Sequence, residues 1–450
     1  MAQVADSLTT QRDLAQVRAL AGPSLDEQPA RLRHNVAALG VVQLSNYAIP
    51  LLTLPFLTRV LGPEAYGKVV FSQVLMAYFV LLTDYGFSWS ATRKISAHRN
   101  DRAYVNQIFL GTWLAQWLLA ALAAMLCAVV IALSDHLRPD APLYAAAFTA
   151  VIGNVLFPVW FLQGLERLQE VAALQLISRV LALIPLFLLV RQPSDASLVA
   201  AIQGGGVMLG GVLALIWIHR QELVHWQWPH WAMARQELGE GLTLFSSRLS
   251  ISFYTTLVPL VLGWVAGPVA VAHFALADKL RSAAQSLLSP ISQALFPRMS
   301  HLFATDRAAA LRLVKRSALA IFLLAGSASA GLWLLADRLI LLLAGPEFMP
   351  AAAVLRWLAF VPLIIGFSNL FGLQIMIPNG MNRAFNLILT AAGLACVAVL
   401  WPLVHSMQAR GAAASMLFVE AFVTGSMMLW LLRRGHIGSS CTHPPQNVKA

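Results

Sequence analysis

Twelve apolar stretches, each long enough to cross a bilayer, constrain this chain more than any other feature of it. A spanning helix needs roughly 20 mostly apolar residues. Such stretches run over 35–58, 69–92, 106–133, 142–163, 171–190, 197–218, 241–264, 269–296, 317–336, 351–376, 384–405 and 411–432. Helix is the only open-chain conformation open to them, because an unpaired backbone group is too costly in hydrocarbon. Composition matters here for one reason. Only 11% of the 450 residues are charged and 58% are hydrophobic, whereas a soluble domain is nearer a quarter charged. No water-soluble core absorbs that much apolar surface. The chain reads as an all-α integral membrane protein with about 12 transmembrane helices.

The basic excess, 31 Lys and Arg against 20 Asp and Glu, is explained by where it falls. With the N-terminus inside, twenty of the 31 lie in inner segments, six in outer loops and five within spans. Positive charge collects on the cytoplasmic side of membrane proteins, so both termini are expected in the cytoplasm and nucleic acid is not a partner. Residues 1–33 form a tail without the apolar core that a cleavable signal needs. Cys127, Cys396 and Cys441 fit no metal or redox spacing. The longest inner connection, HRQELVHWQWPHWAMARQELGE at 219–240, carries Trp226, Trp228 and Trp231 and suits the headgroup level. His225 and His230 within it have no acid or cysteine at ligand spacing, so no metal site is expected. This connection separates an N-lobe of six spans (34–218) from a C-lobe of six (241–434), with a cytoplasmic tail at 435–450. An internal echo agrees with two lobes: VLGPEAYGKVVF (60–71) and VLGWVAGPVAVAHF (261–274) each pass from the first helix of a set through a Gly-containing outer turn into the second.

Ionisable groups inside spans are expensive, roughly 3 kcal/mol each at mid-membrane, and tend to face a cavity or a partner. They are Asp84, Arg179, Arg248, Asp278, Lys279, Arg281, Arg356 and Glu420. In the eighth span Asp278, Arg281, Ser282, Gln285, Ser289 and Ser292 fall on one helical face. Arg248, Ser252 and Thr255 repeat this in the seventh span, and Gln43, Asn46, Pro50 and Thr53 in the first. Such a stripe lines a helix contact or a wet lumen. Asp278 and Arg281 at i and i+3 also suit mutual neutralisation, and Arg248 suits a counter-ion for Asp278. A pairing with Arg93 or a cap is the plainer reading of Asp84. Arg179 and Glu420 suit a buried partner or a transport role equally. Bases exceed acids five to three in the spans, which points to an anion, since guanidinium matches phosphate oxygens with paired donors.

NYAIPLLTLPFLTRVLGPEAYGKVVFSQ (46–73) with YFVLLTDYGFSWSATRKIS (78–96) resembles the first two helices of the Wzx-type polysaccharide biosynthesis flippases. GNVLFPVWFLQGLERLQ (153–169), ADKLRSAAQSLLSPISQALFPRMS (277–300), LLLAGPEFMPAAAVLRWLA (341–359) and LQIMIPNGMNRAFN (373–386) are also similar to that family, or to its wider multidrug and oligosaccharide exporter superfamily. The resemblance implies a MATE-like fold of two six-helix bundles around a central cavity. It also implies transfer of an undecaprenyl-diphosphate-linked glycan from the inner to the outer leaflet of the bacterial inner membrane, beside other polysaccharide assembly proteins. The positions that inherit a substrate-facing role are Arg248, Asp278, Lys279 and Arg281, with Asn46 and Gln285 on the same polar faces; Asp84, Arg179 and Glu420 are coupling or structural charges. Pro50 and Pro55 are expected to bend the first span.

Alternating access follows as the expected mechanism, with no cofactor and with coupling to a proton or sodium gradient left open. An ion-coupled drug exporter of the same fold is the main alternative. A flippase for the cell-wall precursor lipid usually carries more than twelve helices. A glycan polymerase or glycosyltransferase needs a large outer loop, and no outer loop here reaches about twenty residues. The chain also lacks a Gly-rich phosphate loop ending in Lys-Ser/Thr, a nucleophile elbow and a His-Glu-x-x-His, so no catalytic residue is assigned.

Overall fold

The computed structural model describes residues 28–228, 231–286 and 289–434, without the side chains at 28–47, 243–244, 246–255, 289–291 and 293–294. Fourteen α-helices carry the described chain. They are α1 (Gln28–Asp84), α2 (Phe87–Ala97), α3 (Arg102–Leu133), α4 (Ala141–Leu156), α5 (Val159–Gly164), α6 (Leu168–Leu189), α7 (Ala196–Arg220) and α8 (Trp231–Ser286). After them come α9 (Ser289–Thr305), α10 (Arg307–Leu334), α11 (Ala336–Ala344), α12 (Pro350–Leu358), α13 (Val361–Phe371) and α14 (Asn382–Arg433). Among the described residues there is no strand.

Among the described residues, nine helical runs are long and apolar enough to cross a membrane, against the twelve spans expected. The difference lies in three runs broken by one non-helical residue each: α1 at Gly62 (φ 70, ψ 177), α8 at Gly267 (φ 80, ψ 179) and α14 at Gln408 (φ 51, ψ −126). At the last, a Cβ on Gly411 would collide with the Leu403 carbonyl. Those residues would lie about 12 Å apart along a straight helix, so the chain reverses there. The same test holds at Gly267, where a Cβ on Gly263 would sit 3.1 Å from the Val271 side chain. Each long run therefore holds two spans, which restores twelve. At Gly62 and Gly267 the left-handed φ requires a residue without Cβ. The proline that follows each, Pro63 and Pro268, starts the next helix without needing an N–H partner.

Some boundaries differ from expectation. The connection drawn at 219–240 is helical from Trp231 onward, and the fourth span breaks between α4 and α5 at Phe157–Pro158. The tenth span is α12 and α13 followed by a π-helical turn, Gly372–Met376. Within that turn the buried Gln374 donates to the Ser292 carbonyl at 2.8 Å.

Contacts divide the chain into two compact units. The first comprises the described residues up to Ile49, Met76–Val190 and Ser197–Arg248; the second comprises Pro50–Leu75, Arg191–Ala196 and the described residues from Leu249 onward. The units do not follow the division at 219–240, since Pro50–Leu75 groups with the later part of the chain and the start of α8 with the earlier part.

Packing in the first unit centres on aromatic rings: Phe109 lies 4.7 Å from Phe161 and 5.8 Å from Trp160, whose indole N–H donates to buried Gln116 at 3.1 Å. Lipid supplies no hydrophobic drive for helix association, so small residues that admit close approach matter more. Gly153 of α4 and Gly204 and Gly211 of α7 do this, since a Cβ on any of them would strike the facing helix.

In the second unit the closest approach is between the two echo motifs. A Cβ on Gly67 would overlap the Pro268 carbonyl, and one on Gly263 would overlap the Phe71 ring. Gly67→Ala therefore forces backbone apart, and we expect it to cost on the order of 3 kcal/mol. Thermal unfolding of the detergent-solubilised protein measures this; a melting temperature equal to that of the unsubstituted protein would refute the packing.

Candidate functional site

The second half of α8, after Gly267, carries the polar stripe seen in the sequence. Arg281 is its centre and is only 8% exposed. Its Nε donates to Asp278 Oδ1 at 2.7 Å, one terminal nitrogen to Ser282 Oγ at 2.8 Å, and the other to Gln285 Oε1. Helical spacing explains this: residues three and four apart are surface neighbours, so one turn above and one below close on the guanidinium. Glu420, from the second span of α14, lies within electrostatic reach of Arg281. One guanidinium thus has a bonded carboxylate and a second carboxyl group within electrostatic reach. Three of its five N–H donors are held by side chains of its own helix.

Lys279 points elsewhere. Adjacent residues on a helix diverge by about 100°, and Lys279 Nζ donates to Tyr66 Oη at 2.9 Å and lies 5.3 Å from the centre of that ring. Tyr66 is almost fully buried and meets Phe348 edge-on at 6.0 Å; on the other side of Phe348, His273 does the same at 6.0 Å. Arg356 pairs with Asp337 at 2.5 Å in an exposed position.

Of the predicted site residues, the structure brings together Asp278, Arg281, Gln285 and Glu420. Lys279 belongs to the Tyr66 contact. The side chains of Arg248 and Asn46 lie outside the described residues. Asp84 and Arg179 are in the first unit: Asp84 accepts from Ser88 Oγ across the Tyr85–Gly86 turn, and Arg179 is half-buried on α6. Tyr66, His273 and Phe348 are not candidates in the sequence reading. One available signal is the Gly-Pro-Glu at 62–64, which recurs at 345–347.

A second charged cluster joins α2 to the start of α8 within the first unit. Lys94 Nζ reaches Glu237 Oε1 at 2.8 Å and Glu240 Oε2 at 2.7 Å. Nearby, the Asn106 amide donates to the His225 carbonyl at 3.0 Å and accepts from its N–H at 2.8 Å. Burial raises the Glu237 carboxyl above the usual range, Lys94 opposing it, while the Lys94 hydrogen bond chiefly holds Glu240 below. The exposed Trp228 and Trp231 flank this anchored segment.

Apolar helices long enough to cross a bilayer many times, with a buried guanidinium held by a carboxylate of its own helix, define a multi-pass membrane protein of the transporter class. The chain belongs to the polysaccharide biosynthesis protein family, whose pattern it matches over residues 32–303. It is 33% identical over 401 residues to the "Putative O-antigen transporter" of Escherichia coli (strain K12), covering 89% of this chain and 96% of that one. A protein of the same name from Shigella dysenteriae is 28% identical over 399 residues, covering 88% and 99%. Among solved structures, the fold is similar to lipid II flippase MurJ in an inward closed conformation (TM-score 0.66, 11% identity, 88% of this chain and 87% of that one). It is also similar to a multidrug resistance MATE family transporter of the MOP superfamily in an inward-facing conformation (TM-score 0.61, 14% identity, 89% and 98%). At these identities the likeness shows the MATE-like all-α fold.

Lys94→Met strands Glu237, only 5% exposed, without its cation. Removing one partner of a buried pair costs on the order of 3 kcal/mol, and adding Glu237→Gln should restore most of it in thermal unfolding. An uncorrected loss in the double variant would refute a buried pair. The sign for Glu240 follows from its lowered value. Its contribution is present above the ordinary carboxylate range and is lost as pH falls through that lowered value, so Glu240→Gln should matter near neutral pH and not in acid.

Proposed function

We propose that the chain moves a polyprenyl-diphosphate-linked oligosaccharide, an O-antigen or exopolysaccharide repeat unit, from the cytoplasmic to the periplasmic leaflet by alternating access. The observation that carries this reading is 33% identity over nearly the full length of a protein named as an O-antigen transporter. The site supplies chemistry that suits it. Arg281 is held in place by Asp278, Ser282 and Gln285 and keeps two N–H donors, the number that a phosphate takes from one guanidinium. The carrier is undecaprenyl diphosphate, the membrane is the inner membrane, and both termini are cytoplasmic, in accord with the Lys and Arg distribution. The six-span lobes at 34–218 and 241–434 are the halves that rock.

The two carboxyl groups make the exchange reversible. A diphosphate on the two spare N–H donors shares the Arg281 guanidinium with Asp278, and its negative charge makes it costlier to keep a nearby carboxyl group ionised. Substrate and proton thus favour one another at this site, which couples transfer to a proton gradient and requires no cofactor. The drug-exporter alternative predicts efflux of small cations from vesicles, independent of lipid-linked sugar.

Arg281→Gln keeps hydrogen-bonding capacity and removes the charge. It should lower transfer at least tenfold at unchanged protein abundance, with lipid-linked glycan accumulating in the cytoplasmic leaflet. Unimpaired transfer by this variant would remove Arg281 from the mechanism.

A further inference from the structure

Three Gly-Pro corners meet in the second unit, and the structure gives them one backbone. Gly62, Gly267 and Gly345 have φ of 70, 80 and 84, with ψ of 177, 179 and −177, and each is followed by proline. The corners touch through several contacts. A Cβ on Gly62 would lie 3.4 Å from Glu347 Oε2, and one on Gly67 would overlap the Pro268 carbonyl. The His273 ring hydrogen-bonds the Glu347 backbone. Phe348, with no exposed surface, meets both Tyr66 of the first corner and His273 of the second at 6.0 Å. Just before the third corner, Arg59 Nη2 donates to the Leu342 carbonyl at 2.6 Å, and Thr58 Oγ1 lies 3.4 Å from that of Leu343. Arg59 thereby satisfies a carbonyl at the C-terminal end of α11 that has no partner within the helix, whereas the Thr58 hydroxyl is already donated to the Leu54 carbonyl at 2.8 Å.

We propose that this three-cornered aromatic cluster is the seal on the exit side of the translocation path, and that Lys279–Tyr66 is its latch. The inference rests on the transporter reading and on the orientation that puts all three corners outside. It gives Lys279 a gating role where the family resemblance implies a substrate contact. A lysine in a span needs a partner, and here the partner is a hydroxyl and ring face 213 residues away. Opening the corners costs Lys279 that partner, and closing them restores it.

The seal also contains a reason to open. His273 Nε2 is buried and has no hydrogen-bond partner. A buried nitrogen left unpaired is a cost, and it is relieved once the corners part and water reaches it. The charged neighbours do not supply a partner: Glu64 and Lys68 pair with one another at 3.6 Å, Lys279 is on Tyr66, and Glu347 offers His273 its backbone. Latch and orphan nitrogen act in opposite directions, which is what a two-state seal needs.

Hydrogen–deuterium exchange of the full-length protein in nanodiscs tests this without reference to any substrate. Tyr66→Phe and Lys279→Met should each raise exchange about tenfold at all three corners together, residues 60–68, 265–273 and 343–349. Exchange that changes only beside the substituted residue in either variant would overturn the seal. Because the readout is backbone opening, failure here is separable from failure of the glycan-transfer assay, which would overturn the transport reading itself.

Discussion

A polypeptide in hydrocarbon must satisfy every backbone group within its own helices, so a helical hairpin can reverse only where a local geometry absorbs the break. The Gly-Pro step does this twice over. Glycine supplies the positive φ that a side chain disfavours, and proline opens the next helix where its missing N–H is not needed. At Gly62, Gly267 and Gly345 the same step recurs with nearly the same ψ. The three reversals are therefore interchangeable in shape. That allows their small faces to approach until a Cβ on Gly67 would meet the Pro268 carbonyl. Everything described around Tyr66, Phe348 and His273 depends on that closeness.

Charge inside the bilayer is handled in two ways by this chain. Arg281 is satisfied locally: Asp278, Ser282 and Gln285 are all within four residues of it, so its orientation survives any movement that keeps α8 intact. Lys279 is satisfied across a long separation, 213 residues, as is Lys94 outside the spans, across 143 residues. Such contacts hold only while the elements that carry them stay together. A locally saturated cation suits a binding group that must present the same face in each state. A cation paired at a distance suits a group whose state reports the conformation. The distinction also changes the account of charge, because five bases against three acids in the spans suggested a surplus of free positive charge. Among the described side chains Lys279, Arg281 and Arg356 each have a partner, and Arg281 has a second carboxyl group within reach.

What was legible in the sequence was what depends on a single element. Spans follow from apolar length, and the Asp278–Gln285 stripe follows from helical period, because both are properties of one helix. The Gly62 and Gly267 turns were visible as an echo, yet the echo did not say that the two motifs touch. Asp84 also accepts from Ser88, a residue with no charge to draw notice. Tyr66 and Phe348 read as ordinary apolar residues beside turns, and His273 was not distinguished from its apolar run. Their meaning comes from tertiary proximity, which no periodicity encodes. The division at 219–240 rested on counting spans, whereas contacts assign Pro50–Leu75 and the start of α8 to units other than those the count implies.

Adjacency of the two kinds of cation gives a mechanical consequence. Asp278 and Lys279 are consecutive, so one turn of α8 presents the substrate candidate on one face and the latch on the next. The left-handed Gly267 lies about three turns (roughly 16 Å) before Asp278, which makes the intervening helix a short lever with a defined pivot. A rotation of that lever that frees Lys279 from Tyr66 necessarily swings the Arg281 guanidinium, since its three local bonds keep it fixed to the helix. Glu420 belongs to a separate helix, α14. Parting the latch therefore changes the distance between Arg281 and Glu420, and with it how strongly the guanidinium holds an anion. Occupancy of the site and closure of the corners are in this way two readings of one helix position, and a ligand that prefers one shifts the other by the same free energy.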